Sequence, residues 1–198
     1  MKKNMFSLSI AALTMMASTG TALAAGTNLD VTFTANVIET TCEMKLDGGT
    51  GSNTDQTLQI GSDNGVRIED FGTSTNRAGN AGARGNFRLM IVECPPSLQS
   101  LKTSISGTPS GYLPYALVNS IKKDNGGADF TAVSIARAST PDTPFTINPT
   151  VDSGRLVWTN DEIAAGEVPL VAVLQATQDG LVTTGKFEAI ATFNFDYE

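Results

Sequence analysis

The sequence predicts an all-β domain of the sandwich or barrel class, on three observations. Runs rich in β-branched and aromatic residues recur along it: "TLQIG" (57–61), "NFRLMIVEC" (86–94), "LKTSISG" (101–107), "YALVNSI" (115–121), "FTAVSIARA" (130–138), "FTINP" (145–149), "PLVAVLQATQ" (169–178) and "FEAIATFNFDY" (187–197). Between them lie clusters of Gly, Asn, Asp, Ser and Pro such as "LDGGTGSNTD" and "KKDNGGAD", and short strands at roughly regular spacing with polar turns make sandwiches and barrels. Only "WTNDEIAAGE" (158–167) hints at a helical turn, with Thr159 or Asn160 as its cap.

Taken in order, the first element is a leader. Lys2 and Lys3 precede an apolar run from Phe6 to about Ala17, and Ala22-Leu23-Ala24 offers small residues at the two positions a signal peptidase inspects. Residues 1–24 are read as a secretory signal peptide cut after Ala24. The run falls short of the roughly 20 residues needed to span a bilayer, and no later segment reaches that length, so the mature chain is expected to be soluble.

Cleavage removes 24 of 198 residues and two of 13 basic residues, and leaves all 20 acidic ones. The remaining 174 residues, with 11 basic and 20 acidic, carry a net charge of −9. That length suits one domain with a sizeable core. The acidity argues against nucleic acid or an anionic membrane as partner, because phosphate contacts need clustered Lys and Arg. Lys122-Lys123 reads as a solvated turn.

The next element is "NLDVTFTANVIETTC", Asn28 to Cys42. Leu29, Val31, Phe33, Ala35 and Val37 fall on one face and Asp30, Thr32, Thr34 and Asn36 on the other, so the mature chain opens with an amphipathic strand. The last element has the same character. Phe187, Ala189, Ala191, Phe193, Phe195 and Tyr197 share one face, against Lys186, Glu188, Thr192, Asn194, Asp196 and Glu198.

Cys42 and Cys94 are the two cysteines of a chain that leaves the cytoplasm. An oxidised pair is the default there, with two buried free thiols as the alternative. Closing about fifty residues stabilises a fold by roughly 4 kcal/mol on the chain-entropy model. The longest soft region, "GTSTNRAGNAGARGN" (72–86), reads as a mobile surface loop. Its glycines lack the strand-to-helix context and the Lys-Ser/Thr of a phosphate cradle.

Nothing points to catalysis. The chain has no histidine, which removes Ser-His-Asp and Cys-His nucleophilic systems and histidine-bearing zinc sites. Glu69-Asp70 and Asp161-Glu162 are sequence neighbours in polar contexts and read as solvated turns rather than a glycosidase pair. "SDNGVRIED" lacks the alternating oxygen ligands and closing Glu of a calcium loop. No cofactor and no metal is expected.

Taken together, these particulars resemble the subunits of chaperone–usher fimbriae, the type 1-like pilins of Gram-negative bacteria. Cys42 follows the N-terminal strand in a "VIETTC" context, "QTLQIG" (56–61) is similar to the segment after the first strand, and "FRLMIVEC" to the strand delivering the second cysteine. "GEVPLVAVLQAT" resembles the penultimate strand, and at the C-terminus Gly185 stands fourteenth from the end with Tyr197 penultimate. The resemblance covers essentially the whole mature chain. It implies an incomplete immunoglobulin-like β-sandwich lacking its last strand and completed by donor-strand complementation, with a groove open beside the C-terminal strand.

The domains so implied are a signal peptide (1–24), a donor-strand extension (25–38) and a pilin domain (39–198). Leu29, Val31, Phe33, Ala35 and Val37 are the donor positions, and Gly185, Phe187, Ala189, Ala191, Phe193, Phe195 and Tyr197 belong to the strand that lines the groove. A nine-residue donor spans about 30 Å at roughly 3.3 Å per residue, the length of a sandwich. The partners implied are a periplasmic pilus chaperone, an outer-membrane usher and neighbouring fimbrial subunits, with export through the periplasm to the cell surface. The expected role is a structural one, a minor or linker pilin, with the major shaft pilin as alternative. A secreted carbohydrate-binding module with a complete sandwich is a more distant one. Two features depart from the family pattern. Ala35 stands where the donor usually carries Gly, and the stretches around 95–127 and 151–162 are longer than typical connections.

Overall fold

The computed structural model describes residues 42–52 and 54–197. The expected signal peptide and donor strand lie outside these residues.

From Cys42 the described chain forms β1 (Glu43–Asp47), then a two-residue pair, β2 (Thr50–Gly51) and β3 (Gln56–Thr57). β4 (Arg84–Glu93) and β5 (Leu101–Gly107) follow, then β6 (Ala116–Val118), β7 (Thr131–Arg137) and β8 (Leu156–Val157). The helical turn α1 (Asn160–Ala165) leads into β9 (Glu167–Ala176), and β10 (Ala191–Tyr197) ends the chain. Two antiparallel sheets result, one in the order β1-β4-β9-β7-β6 and one in the order β10-β5-β8.

The sheets pack face to face because each strand buries alternate residues. β5 sinks Leu101, Thr103 and Ile105 while Lys102, Ser104 and Ser106 face outward. β9 supplies Val168, Leu170, Ala172 and Leu174 to the same core, and Val171 and Val173 join Ala136 in a smaller cluster on the opposite face of the larger sheet. Buried on both faces, β9 is the near-continuous apolar run its sequence shows. Trp158 is 4% exposed, and its indole N–H donates to Thr103 Oγ1 at 2.9 Å, which satisfies the one polar atom that its burial would otherwise strand.

The disulfide expected from the compartment is present. Cys42 and Cys94 flank β1 and β4, whose antiparallel register pairs Glu43 with Glu93, so the bridge closes the end of that ladder.

Several local expectations shift. "EMKLD" is not among the runs that predict strands, yet Met44 and Leu46 alternate with Lys45 and Asp47 and make β1. "TLQIG" keeps only Thr57 in a strand, while Leu58 and Ile60 pack against the core beside β4 without a ladder. "FTINP" forms no strand, and only Ile147 bridges Ile105. "YALVNSI" is a strand for Ala116–Val118 alone. The long 151–162 connection contains β8 and the start of α1, which is capped by Thr159 through a reciprocal bond with Glu162.

The 72–86 stretch is not a loose loop. Gly72 pairs with Gln175 at the end of β9, where a Cβ at Gly72 would strike the Gln175 side chain. Arg84 donates to the carbonyls of Ala78 and Gly79, Gln175 Nε2 donates to Arg77 O at 2.7 Å, and Asn80 is tied to Asp70. Glycine here allows close backbone approach as well as a turn.

Candidate functional site at an open sheet edge

β10 is built from the alternating run at the C-terminus, and it lies at the margin of the smaller sheet with β5 as its only partner among the described residues. The fold places Phe87 of β4 beneath Phe193 of β10, so β10 lies above the β1–β4 side of the larger sheet, of which β1 is itself the edge. Among the described residues the two edge strands therefore flank one opening toward the core.

The direction of the backbone groups at this edge follows from the register. Ile105 O accepts from Asn148 N at 2.8 Å and Leu101 O accepts from Trp158 N at 3.0 Å, so these β5 residues turn their polar groups away from β10. Phe193 and Tyr197 lie opposite Ile105 and Leu101. In an antiparallel ladder, residues opposite such positions also point their N–H and C=O outward. Thr192, Asn194 and Asp196 thus bond to β5, and Ala191, Phe193, Phe195 and Tyr197 present their backbone groups to the open side.

The same alternation extends upstream of β10. Lys186 N donates to Gly126 O, Lys186 O accepts from Ala128 N, and Glu188 O accepts from Ser120 N, which leaves Phe187 and Ala189 facing the other way. Across the opening, Ile91 N donates to Gly166 O, so Met44 opposite it also turns its polar groups outward.

These outward-facing residues carry the side chains that point inward. Phe187, Ala189, Ala191, Phe193 and Phe195 are half-buried and packed against the core, as are Met44, Leu46, Leu58 and Ile60 on the other wall. None reaches the burial of the interior residues beneath, such as Phe87 at 4% and Leu89 at 2%. Tyr197 at the tip is 36% exposed. Among the described residues this edge thus combines backbone groups without a partner with incompletely covered apolar side chains, an arrangement to which a further strand can add.

Of the residues singled out from the sequence, Phe187 to Tyr197 lie together on this edge. Gly185 sits at its start with φ +158°, and a Cβ there would fall 2.5 Å from the Gly127 carbonyl carbon. The donor positions Leu29, Val31, Phe33, Ala35 and Val37 lie outside the described residues. Met44, Leu46, Leu58 and Ile60 went unrecognised as the opposite wall, although the alternation of Met44 and Leu46 was visible.

The polar surroundings are solvated. On the outer face of β10, Asn194 donates to Ser106 Oγ at 2.7 Å, and Asp196 pairs with Arg155 at 3.4 Å. Arg88 lies between Asp47 and Glu167, and its hydrogen bond holds the Asp47 carboxyl below its ordinary pKa. Lys102 does the same for Asp152. Glu69 pairs with Arg67 on the surface, whereas Glu162 is half-buried against Arg137 and differs in this from the solvated turn expected. No group of side chains able to hold a metal occurs among the described residues.

Comparison with known proteins converges on one family. The family described as "Fimbrial protein" matches residues 31–198. The Escherichia coli (strain K12) protein described as "Uncharacterized fimbrial-like protein YadM" is 25% identical over 173 residues, covering 87% of this chain and 88% of that protein. Among solved structures, the P pilus rod subunit PapA superposes with a TM-score of 0.52 at 18% identity, covering 86% of this chain and all of PapA. The P pilus adaptor subunit PapF gives 0.46 at 13% identity, over 79% of this chain and 95% of PapF. The fold is the incomplete immunoglobulin-like sandwich of such subunits.

Proposed function

This chain belongs to the fimbrial protein family, and on that premise we propose that it is an internal subunit, minor or linker, of a chaperone–usher fimbria that is held together by strand exchange. The family is a structural one, made up of subunits of the cell-surface fimbrium rather than enzymes. In this reading the edge formed by β10 and β1 is filled first by a strand of a periplasmic chaperone and then by the N-terminal extension of the next subunit, delivered at the outer-membrane usher. Residues 25–38 of this chain fill the equivalent opening of its other neighbour.

The observation that carries the reading is the coincidence on β10 of inward apolar side chains with outward backbone groups at alternate residues from Phe187 to Tyr197. An added strand gains main-chain hydrogen bonds along this edge while its alternate side chains enter the core. A complete secreted sandwich would have no need to leave both features exposed together. An accepting edge also favours an internal subunit over a chain terminator, which donates a strand without receiving one.

The test is strand uptake. A synthetic peptide of residues 27–38 stands in for the next subunit's extension, because strand addition reads main-chain bonds and alternate apolar side chains. It is added to the mature chain, and binding is followed by fluorescence of a peptide label and by amide protection of Phe193 and Phe195. The unmodified peptide and its Thr32→Asp form are expected to bind. The Phe33→Asp form is expected to fail, because it drives a carboxylate into the core. Equal behaviour of the two substituted peptides would overturn the proposal. Stoichiometry of purified fimbriae by mass spectrometry separates a minor from a major subunit.

A further inference from the structure

Strand addition needs an acceptor edge of fixed register, and the two halves of this edge are fixed by different means. Ala191 to Tyr197 are held by the ladder to β5, which pairs Ala191 with Gly107 and ends there. Residues 186–190 have no such ladder. They lie instead against the connection between β6 and β7, and the side chain of Asn119 stands at the junction.

That side chain uses all of its hydrogen-bonding capacity on backbone. Its Nδ2 donates to Ala128 O and to Lys186 O, both at 2.8 Å, and its Oδ1 accepts from Ile121 N and Glu188 N, both at 3.1 Å. Two of these bonds shape the β6–β7 connection and two grip the lead into β10. An amide with two donors and two acceptor lone pairs is the one neutral side chain that can serve both partners in this way.

We propose that Asn119 is the positioning residue of the acceptor edge, fixing the phase of residues 186–188 so that Phe187 and Ala189 present their backbone in line with Ala191 to Tyr197. Asn119 is the first residue after β6, which ends at Val118. The close approach of Gly185 to Gly127 places the two segments within its reach. Asn119 touches no incoming strand; it sets how many residues of the edge such a strand can use. The inference rests on the strand-accepting function proposed above.

The test reads the two halves of the edge separately by hydrogen–deuterium exchange on the mature chain, with and without the 27–38 peptide. In the unmodified protein, peptide is expected to protect Phe187 and Ala189 as well as Phe193 and Phe195. In Asn119→Ala, protection at Phe187 and Ala189 is expected to fall about tenfold while that at Phe193 and Phe195 persists. Asn119→Asp keeps the shape but turns a carboxylate oxygen toward the carbonyls of Ala128 and Lys186, and is expected to behave like Asn119→Ala. A uniform loss along the whole edge, or protection unchanged in either variant, would overturn the assignment. If neither variant accumulates, the unmodified protein decides alone. The Glu188 amide should then exchange as slowly as those of Thr192 and Asn194, and exchange at the rate of an exposed loop would sink the proposal. Failure of the peptide to bind the unmodified protein at all would instead count against the strand-accepting function.

Discussion

Phe87 of β4 and Phe193 of β10 meet edge to face, with ring centroids 6.0 Å apart and planes inclined at 63°. The contact joins the two sheets directly beneath the open edge, and the two rings are covered unequally. Phe87 is 4% exposed, whereas Phe193 is only half-buried.

Truncation should separate the two roles. Phe87→Ala removes a core ring and is expected to cost about 3–5 kcal/mol in urea unfolding. Phe193→Ala forfeits the same aromatic contact but less burial, and about 1–3 kcal/mol is expected. Uptake of the 27–38 peptide should weaken more in Phe193→Ala than its stability loss explains. A peptide affinity that simply tracked stability in both variants would place Phe193 in the body of the core rather than at the site.

A second prediction concerns acid. Glu162 is half-buried, which raises its pKa, but the two bonds from Arg137, at 2.9 and 2.7 Å, and the Thr159 N–H outweigh burial and hold the carboxyl below its ordinary value of 4.5. A depressed folded pKa contributes stability that is present above the unfolded pKa and is lost as pH falls through the folded one. Glu162→Gln should therefore cost about 1–2 kcal/mol at pH 7. The gap to the unmodified protein should close as pH falls below about 4. Urea unfolding at both pH values checks this, and an undiminished gap at pH 3 would remove the charge as its source.

Gly185→Ala should be costly for a reason that can be located. The new Cβ would lie 2.5 Å from the Gly127 carbonyl carbon and closer still to Ala128 N, in a backbone conformation that side chains rarely adopt. Backbone on both sides cannot yield as a flexible side chain would, and a loss of about 2 kcal/mol or more is expected. Gly111→Ala, which meets nothing within 4 Å, serves as the control and should stay within about 0.5 kcal/mol. Thermal unfolding of the two variants side by side gives the comparison.

Much of this architecture is legible in the sequence where a single periodicity rules. β4, β5, β7, β9 and β10 announce themselves through alternation or unbroken apolar runs, and Thr159 with Glu162 marks the start of α1. The shifts fall where tertiary contacts decide. "FTINP" has strand composition, but Asn148 adopts φ +53° and spends its side chain on Gly107, so the segment makes one bridge and turns. The 72–86 stretch looks like flexible loop because one of its anchors is a single side chain near its end, Arg84, and the other, Gln175, lies about a hundred residues away. At the site, the apolar face of β10 was readable as alternation. That its backbone faces an open edge required the register with β5, and the part of Asn119 is invisible without the fold, since a lone Asn after a short strand reads only as a turn residue.

The direction of the backbone groups along β10 can be tested with proline, which removes one N–H at a time. Ala191 turns its N–H to the open side, so Ala191→Pro deletes no bond within the chain, and proline is tolerated on an edge strand whose N–H faces solvent. Thr192 turns its N–H toward Ser106 on β5, so Thr192→Pro deletes a ladder bond and forces the ring against the neighbouring strand. Thr192→Pro is expected to cost about 3 kcal/mol or more, and Ala191→Pro about 1 kcal/mol from the restricted φ. Strand uptake should rank the variants differently. Ala191→Pro withholds a donor from any added strand and should weaken binding of the 27–38 peptide about tenfold although the protein stays folded. Thr192→Pro should bind poorly only to the extent that it unfolds, and stabilising it with osmolyte should restore uptake. Greater destabilisation by Ala191→Pro than by Thr192→Pro would mean that the alternation is assigned the wrong way round, and the open edge would then be lined by Thr192, Asn194 and Asp196.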